Sequence, residues 1–70
     1  NAEYKEVIVD TVLEYVRFPC KETALFIQVT LDMYYYMDMN TRQMIVHKLH
    51  KKAPLKQYGV EYLLKGLHLN

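Results

Sequence analysis

The chain has no serine, no tryptophan, one cysteine, two glycines and two prolines in its 70 residues. Without serine there is no serine nucleophile. Neither Gly59 nor Gly66 stands in a phosphate-cradling pattern, which excludes P-loop and dinucleotide-binding chemistry. A lone Cys20 cannot close an intramolecular disulfide, so a secreted mini-protein framed by disulfides is excluded, and an intracellular location, cytoplasmic or nuclear, is expected. No apolar run reaches the length of a membrane span and no basic-then-apolar leader opens the chain, so no membrane partner is expected. Asn1 in place of an initiator Met leaves room for a domain excised from a longer chain; residues 1–70 themselves read as one helical domain.

What is present is apolar and aromatic. Half the residues (51%) are hydrophobic and 13% aromatic, a composition that folds rather than staying disordered. A domain this small buries only about 60% of the surface its unfolded chain exposes, so its core needs supplementing. Net charge is +1, yet residues 1–39 hold three basic and seven acidic side chains while residues 40–70 hold six basic and one acidic. That asymmetry suits nucleic-acid contact or complementary association.

The most apolar stretch is Leu25–Met39. It alternates like a strand, but at about 100° per residue Leu25, Phe26, Val29, Met33, Tyr36 and Met37 gather on one helical face, with Ile27, Leu31 and Tyr34 opposite. No other segment offers a strand partner of similar length, so a helix from about 22 to 39, apolar on two sides, is expected at the centre of the core. Before it, residues 3–17 form a helix whose polar positions Glu3, Glu6, Asp10, Glu14 and Arg17 make one stripe of about 80°. Nearly everything else on that helix is apolar, and β-branched residues make it dependent on packing. One monomer of this length lacks the chain to cover both helices, which points to a dimer or an obligate partner. Phe18-Pro19-Cys20 separates them.

Asn40, with Gln43 three residues on, matches a capping box for a third helix over about 41–52. Ile45, Val46 and Leu49 face inward there, and His47, Lys48, Lys51 and Lys52 outward. Pro54 suits the first position of a fourth helix, about 54–65, with Leu55, Tyr58, Gly59, Tyr62 and Leu63 inside. Gly59 implies a close helix–helix approach. Gly66 suits a left-handed helix end, with Leu67 packing behind it and His68-Leu69-Asn70 as a frayed tail. The expected fold is therefore all-α, a compact bundle of four short helices.

Candidate chemistry is sparse. His47 and His50 lie three apart on one helical turn, half of a zinc site that Cys20, His68 or an acidic residue would have to complete; no metal, cofactor or small-molecule substrate is expected. Cys20 at a helix N-terminus is a conceivable reactive thiol. Four short helices leave little room for a substrate pocket, and an enzyme is not expected. Helices three and four outline a helix-turn-helix. In that arrangement Leu55, Lys56, Gln57 and Tyr58 would reach base edges, and Arg42, Lys48, Lys51 and Lys52 would contact phosphates.

The Tyr34-Tyr35-Tyr36 triplet spreads over about 200° of helix, so at least one ring must leave the core. Tyrosine suits interfaces, and neighbouring methionines repack around partners. The expected role is a protein–protein interaction module, homodimeric or adaptor, contacting its partner through Val9, Leu13, Tyr34, Tyr35, Met37 and Met39. The alternative is a DNA-binding regulator that uses the basic C-terminal half.

Overall fold

Two prolines and one tight tyrosine-rich turn divide the chain. In a computed structural model, which describes residues 2–69, α1 spans Ala2–Tyr15, α2 Lys21–Tyr34, α3 Met39–Lys52 and α4 Tyr58–Gly66, with a 3₁₀ turn at Ala53–Leu55. No strand occurs among the described residues, and the expected all-α bundle of four short helices is the fold. Asn70, read as part of a frayed tail, lies outside the described residues.

The second helix is shorter and less central than its apolarity suggests. It ends at Tyr34, and its only buried residues are Thr23 and Ile27. Two groups stop it. Arg42 donates from Nε to the Tyr34 carbonyl at 3.0 Å, which also accepts the Met37 amide, and from its terminal nitrogen to the Tyr35 carbonyl at 2.5 Å, so carbonyls at the helix end find partners. Asp38 then turns extended and caps α3, accepting the Thr41 amide at 2.8 Å. The cap of α3 is therefore Asp38 rather than Asn40, which lies inside the helix with Met39. His50, Lys51 and Lys52 in its last turn complement the negative end of the helix dipole.

Pro54 cannot continue α3, because it lacks an amide hydrogen and its ring clashes with the carbonyl four residues back. The chain tightens into the 3₁₀ turn, passes through Lys56 in the left-handed region (φ 53°), and enters α4 at Tyr58. The fourth helix thus begins four residues later than expected and presents a different face. Gly59, Val60, Leu63 and Leu64 are buried, while Leu55 and Tyr62 are exposed. Its end also differs, since Gly66 is the last helical residue and His68 takes the left-handed position (φ 58°). Leu69 N–H then bonds Leu64 O at 2.8 Å and His68 N–H bonds Lys65 O at 3.1 Å, the pairing of a Schellman motif.

The core consists of Leu13, Val16, Ile27, Ile45, Leu49, Val60, Leu63 and Leu64. The most deeply buried of these come from α4, α3 and the inner side of the α1 end, so α4 holds the place expected of α2. Its start is fastened to the end of α1. Tyr58 N–H bonds Arg17 O at 3.1 Å and Gly59 N–H bonds Val16 O at 2.6 Å, so carbonyls at the end of α1 satisfy amides at the start of α4. A Cβ at Gly59 would collide with Val16 side-chain and carbonyl atoms. Glycine is thus required by close approach, as its sequence position implied, although it sits in the first turn and not mid-helix.

Candidate functional site

Eight of the exposed large apolar side chains lie on the first two helices, while Phe18, Tyr35, Tyr36, Met39, Leu55 and Tyr62 are exposed elsewhere. Tyr4, Val7, Ile8 and Tyr15 of α1, and Leu25, Phe26, Val29 and Met33 of α2, are all exposed. Val9 and Leu13 of α1, with Val16 just past its end, face the core, and at about 100° per residue Tyr4, Ile8 and Tyr15 turn away from it. On α2 the same reasoning sets Ile27 and Leu31 inward against Phe26, Val29 and Met33 outward. Looseness does not explain the exposure. The radius of gyration, 11.1 Å, matches the roughly 11 Å expected of a folded chain this long.

The two helices run antiparallel. Tyr15 packs on Phe26 with ring centroids 5.5 Å apart, and at the other end Lys5 pairs with Asp38 at 2.9 Å. Between these contacts a cleft of about 70 Å³ opens toward the core, lined by Ile8, Val9, Val12, Leu13, Thr30, Met37, Ile45 and Leu63. Threonines do not make this region polar. Thr11 Oγ1 donates to Val7 O at 2.8 Å and Thr30 Oγ1 to Phe26 O at 2.7 Å, so both hydroxyls are satisfied within their own helices.

Of the residues expected at an interface, Val9 and Met37 line this cleft and are half-buried, while Tyr34, Tyr35 and Met39 lie around the turn from α2 to α3. Leu13 is a correction. At 2% exposure it is core, because it lies on the α1 face turned toward Ile45 and Leu63, and it forms the cleft floor. Tyr35 and Tyr36 are exposed, and the Tyr35 ring meets Tyr34 edge-on at 5.8 Å. Phe26, Val29 and Met33, the middle of the exposed face on α2, were absent from the expected set. Their signal was the two-sided apolarity of that helix.

Three of the six basic residues of the C-terminal half, Arg42, Lys48 and Lys56, make internal contacts. Arg42 terminates α2 and lies over the Tyr34 ring at 5.6 Å. Lys48 bridges to α1, at 2.8 Å from Asp10 and 4.0 Å from Glu6, with its side chain only 19% exposed. Lys56 lies 3.9 Å from Glu61. Lys51 is exposed, Lys52 and Gln57 are half-buried, and Gln57 caps α4 by position only, with no side-chain bond to it.

Ionisation follows the helix starts. Hydrogen bonds from the Thr41 side chain, from Lys5 and from the Thr41 amide hold the Asp38 carboxyl well below the usual carboxylate range. Glu22, in the first turn of α2, is also lowered, by a bond to its own amide and one to Cys20. Burial, followed by its neighbour Tyr62, raises the Tyr58 hydroxyl. Those two rings, 4.8 Å apart, line an open groove of about 400 Å³ between α2 and α4. Cys20 is exposed, its sulfur 3.0 Å from Thr23 Oγ1. No group of three or more His, Cys, Asp or Glu side chains able to hold a metal occurs among the described residues. No helix among them is long and apolar enough to cross a membrane. No family model, curated protein or solved structure matches the chain.

Proposed function

We propose that the protein is a non-catalytic protein–protein interaction module whose contact surface is the outer face of α1 and α2. One observation carries this reading. The eight exposed side chains of that face present on the order of 800 Å² to solvent, the area one partner contributes to a standard stable interface. A single exposed leucine or tyrosine means little, but eight large apolar side chains exposed on two neighbouring helices support a contact site.

The nucleic-acid alternative has less support. Arg42, Lys48 and Lys56 make internal contacts, and each would have to exchange its partner for a phosphate.

Site-specific photo-crosslinking tests the proposal. Benzoylphenylalanine at Val29 or Ile8 is expected to yield protein adducts in cells that express the chain, whereas Lys51, on α3, yields none. Adducts to nucleic acid from Lys51, with none to protein from Val29 or Ile8, would move the function to the alternative. Labelled duplex DNA titrated at low and near-physiological salt checks that outcome, since phosphate contacts give affinity that falls steeply with salt.

A further inference from the structure

Building on that reading, we infer that the α1/α2 face receives an amphipathic helix of a different protein, with an apolar stripe toward the cleft and lysines or arginines on its flanks. Length, shape and charge each bear on the choice of occupant.

α1 and α2 are 14 residues each, about 21 Å long at 1.5 Å per residue, which matches a partner helix of four turns. The seam between them is not closed. Its cleft descends from Ile8 and Thr30 to Leu13 and Leu63, leaving room for one branched aliphatic side chain. This is the form of a groove that takes an anchor residue from a docked helix. Met33 on the face and Met37 in the cleft adjust to the shape of what enters.

Charge separates the possible occupants. The middle of the face carries none, but acidic residues edge it. Glu3, Asp10 and Glu14 follow one side of α1, and Glu22 and Asp32 lie on α2, against Lys5, Arg17 and Lys21 on the same elements. Lys5 and Arg17 are already paired, with Asp38 and Glu14, as Asp10 is with Lys48, which leaves Glu3, Glu22 and Asp32 against Lys21 on the rim. A basic flank on the incoming helix complements this rim, and an acidic flank is repelled.

A second copy of this chain meets the requirement poorly. Face against face, two copies would bring acidic edges together. The chain's own basic helices also cannot serve as the guest, because Ile45 and Leu49 of α3 and Leu63 and Leu64 of α4, the apolar residues behind Lys51 and Lys65, are in the core. Nucleic acid and anionic membrane are disfavoured by the same acidic rim.

The test titrates the full chain against two fluorescein-labelled 18-residue amphipathic peptides, one of leucine and lysine and one of leucine and glutamate, by anisotropy at two salt concentrations. The lysine peptide is expected to bind about tenfold or more tightly than the glutamate peptide, with a preference that shrinks as salt rises. Val29→Arg, a surface change checked for retained helicity by circular dichroism, is expected to weaken that binding about tenfold or more, while Lys51→Glu leaves it unchanged. Equal binding of both peptides, lost in Val29→Arg, would overturn the basic-helix assignment and leave the interaction face standing. Binding that ignores Val29→Arg would overturn the site. Neither peptide binding, with a dimer by sedimentation that Val29→Arg dissociates, would make a second copy the occupant. Neither peptide binding to a chain that stays monomeric at high concentration would overturn both this inference and the reading beneath it.

Discussion

The α1/α2 outer face and the α3/α4 side of the molecule are built from similar residues and use them oppositely. In α4, nine residues long, Val60, Leu63 and Leu64 all reach the core. In α2, fourteen residues long, Ile27 is the one fully buried aliphatic side chain, while Leu25, Phe26, Val29 and Met33 remain in water. Hydrophobic content alone does not distinguish the two helices. Chain length does, because four short helices enclose one core and have nothing left to cover a second apolar face. Stability therefore concentrates around α4, which packs against α2 and α3 and is joined to the end of α1, while the outer face of α1 and α2 stays uncovered.

The sharpest way to break this contrast is at the joint between α1 and α4. Gly59→Ala would place a methyl group on Val16 atoms, including the carbonyl that Gly59 N–H already bonds at 2.6 Å. Backbone cannot yield as a flexible side chain does, so the expected loss is more than about 3 kcal/mol. Against a total of roughly 4–10 kcal/mol for a chain this long, that removes about a third or more of the stability. Urea denaturation followed by circular dichroism measures it, and a loss below about 1 kcal/mol would show that the joint is not what holds α4 in place.

A paired comparison comes next in size. Leu63→Ala removes a side chain with 0% exposure and should cost about 2–5 kcal/mol. Val29→Ala, at 47% exposure on α2, should stay within about 0.5 kcal/mol, helped by the better helix propensity of alanine. If the two losses were alike, the outer face would be contributing to the fold and would not be spare.

These expectations show what the sequence made legible. Helical periodicity and the two prolines were enough for four helices, and Gly59 for a close approach. The surplus of apolar residues on the first two helices was also readable, as one monomer's inability to cover them. Which face would stay uncovered was not. Two-sided apolarity in α2 is equally the mark of a central helix and of a peripheral one awaiting a partner, and only tertiary packing decides. The end of α2 was hidden for a different reason. Its stop is made by Arg42 reaching back eight residues to the Tyr34 carbonyl, a contact with no local signature. Asp38 as the cap could have been found, since Asp with Thr41 three residues on suits a helix start as well as Asn40 does.

Acid should erode the contrast at the point where α1, α2 and α3 meet. The Asp38 pKa is depressed in the folded state by Thr41 and Lys5, so its contribution is fully present above the unfolded value of about 3.9. It is lost as pH falls through the folded value. Asp38→Asn keeps an acceptor for the Thr41 amide but removes the charge that Lys5 meets. The variant is expected to melt below wild type at neutral pH, with the gap closing as pH falls below about 4. A gap that stays constant across a Tm series from neutral to strongly acidic pH would mean that the cap geometry, not the charge, is what matters.

The smallest expected effect runs in the stabilising direction and leaves the proposed recognition face untouched. His68 occupies the left-handed position that closes α4, at φ 58°, where a side chain costs about 1 kcal/mol and glycine does not. Part of any gain is returned, because glycine also enlarges the conformational freedom of the unfolded chain. His68→Gly should therefore stabilise by only about 0.5 kcal/mol, keeping the Leu69 to Leu64 hydrogen bond and the half-buried Leu69 behind it. Its value lies in what stays still. A change at the end of α4 that raises Tm while leaving the affinity of the α1/α2 face unaltered would separate the stabilising side from the proposed recognition side. An affinity that moved with Tm would show instead that the two are coupled through the shared core.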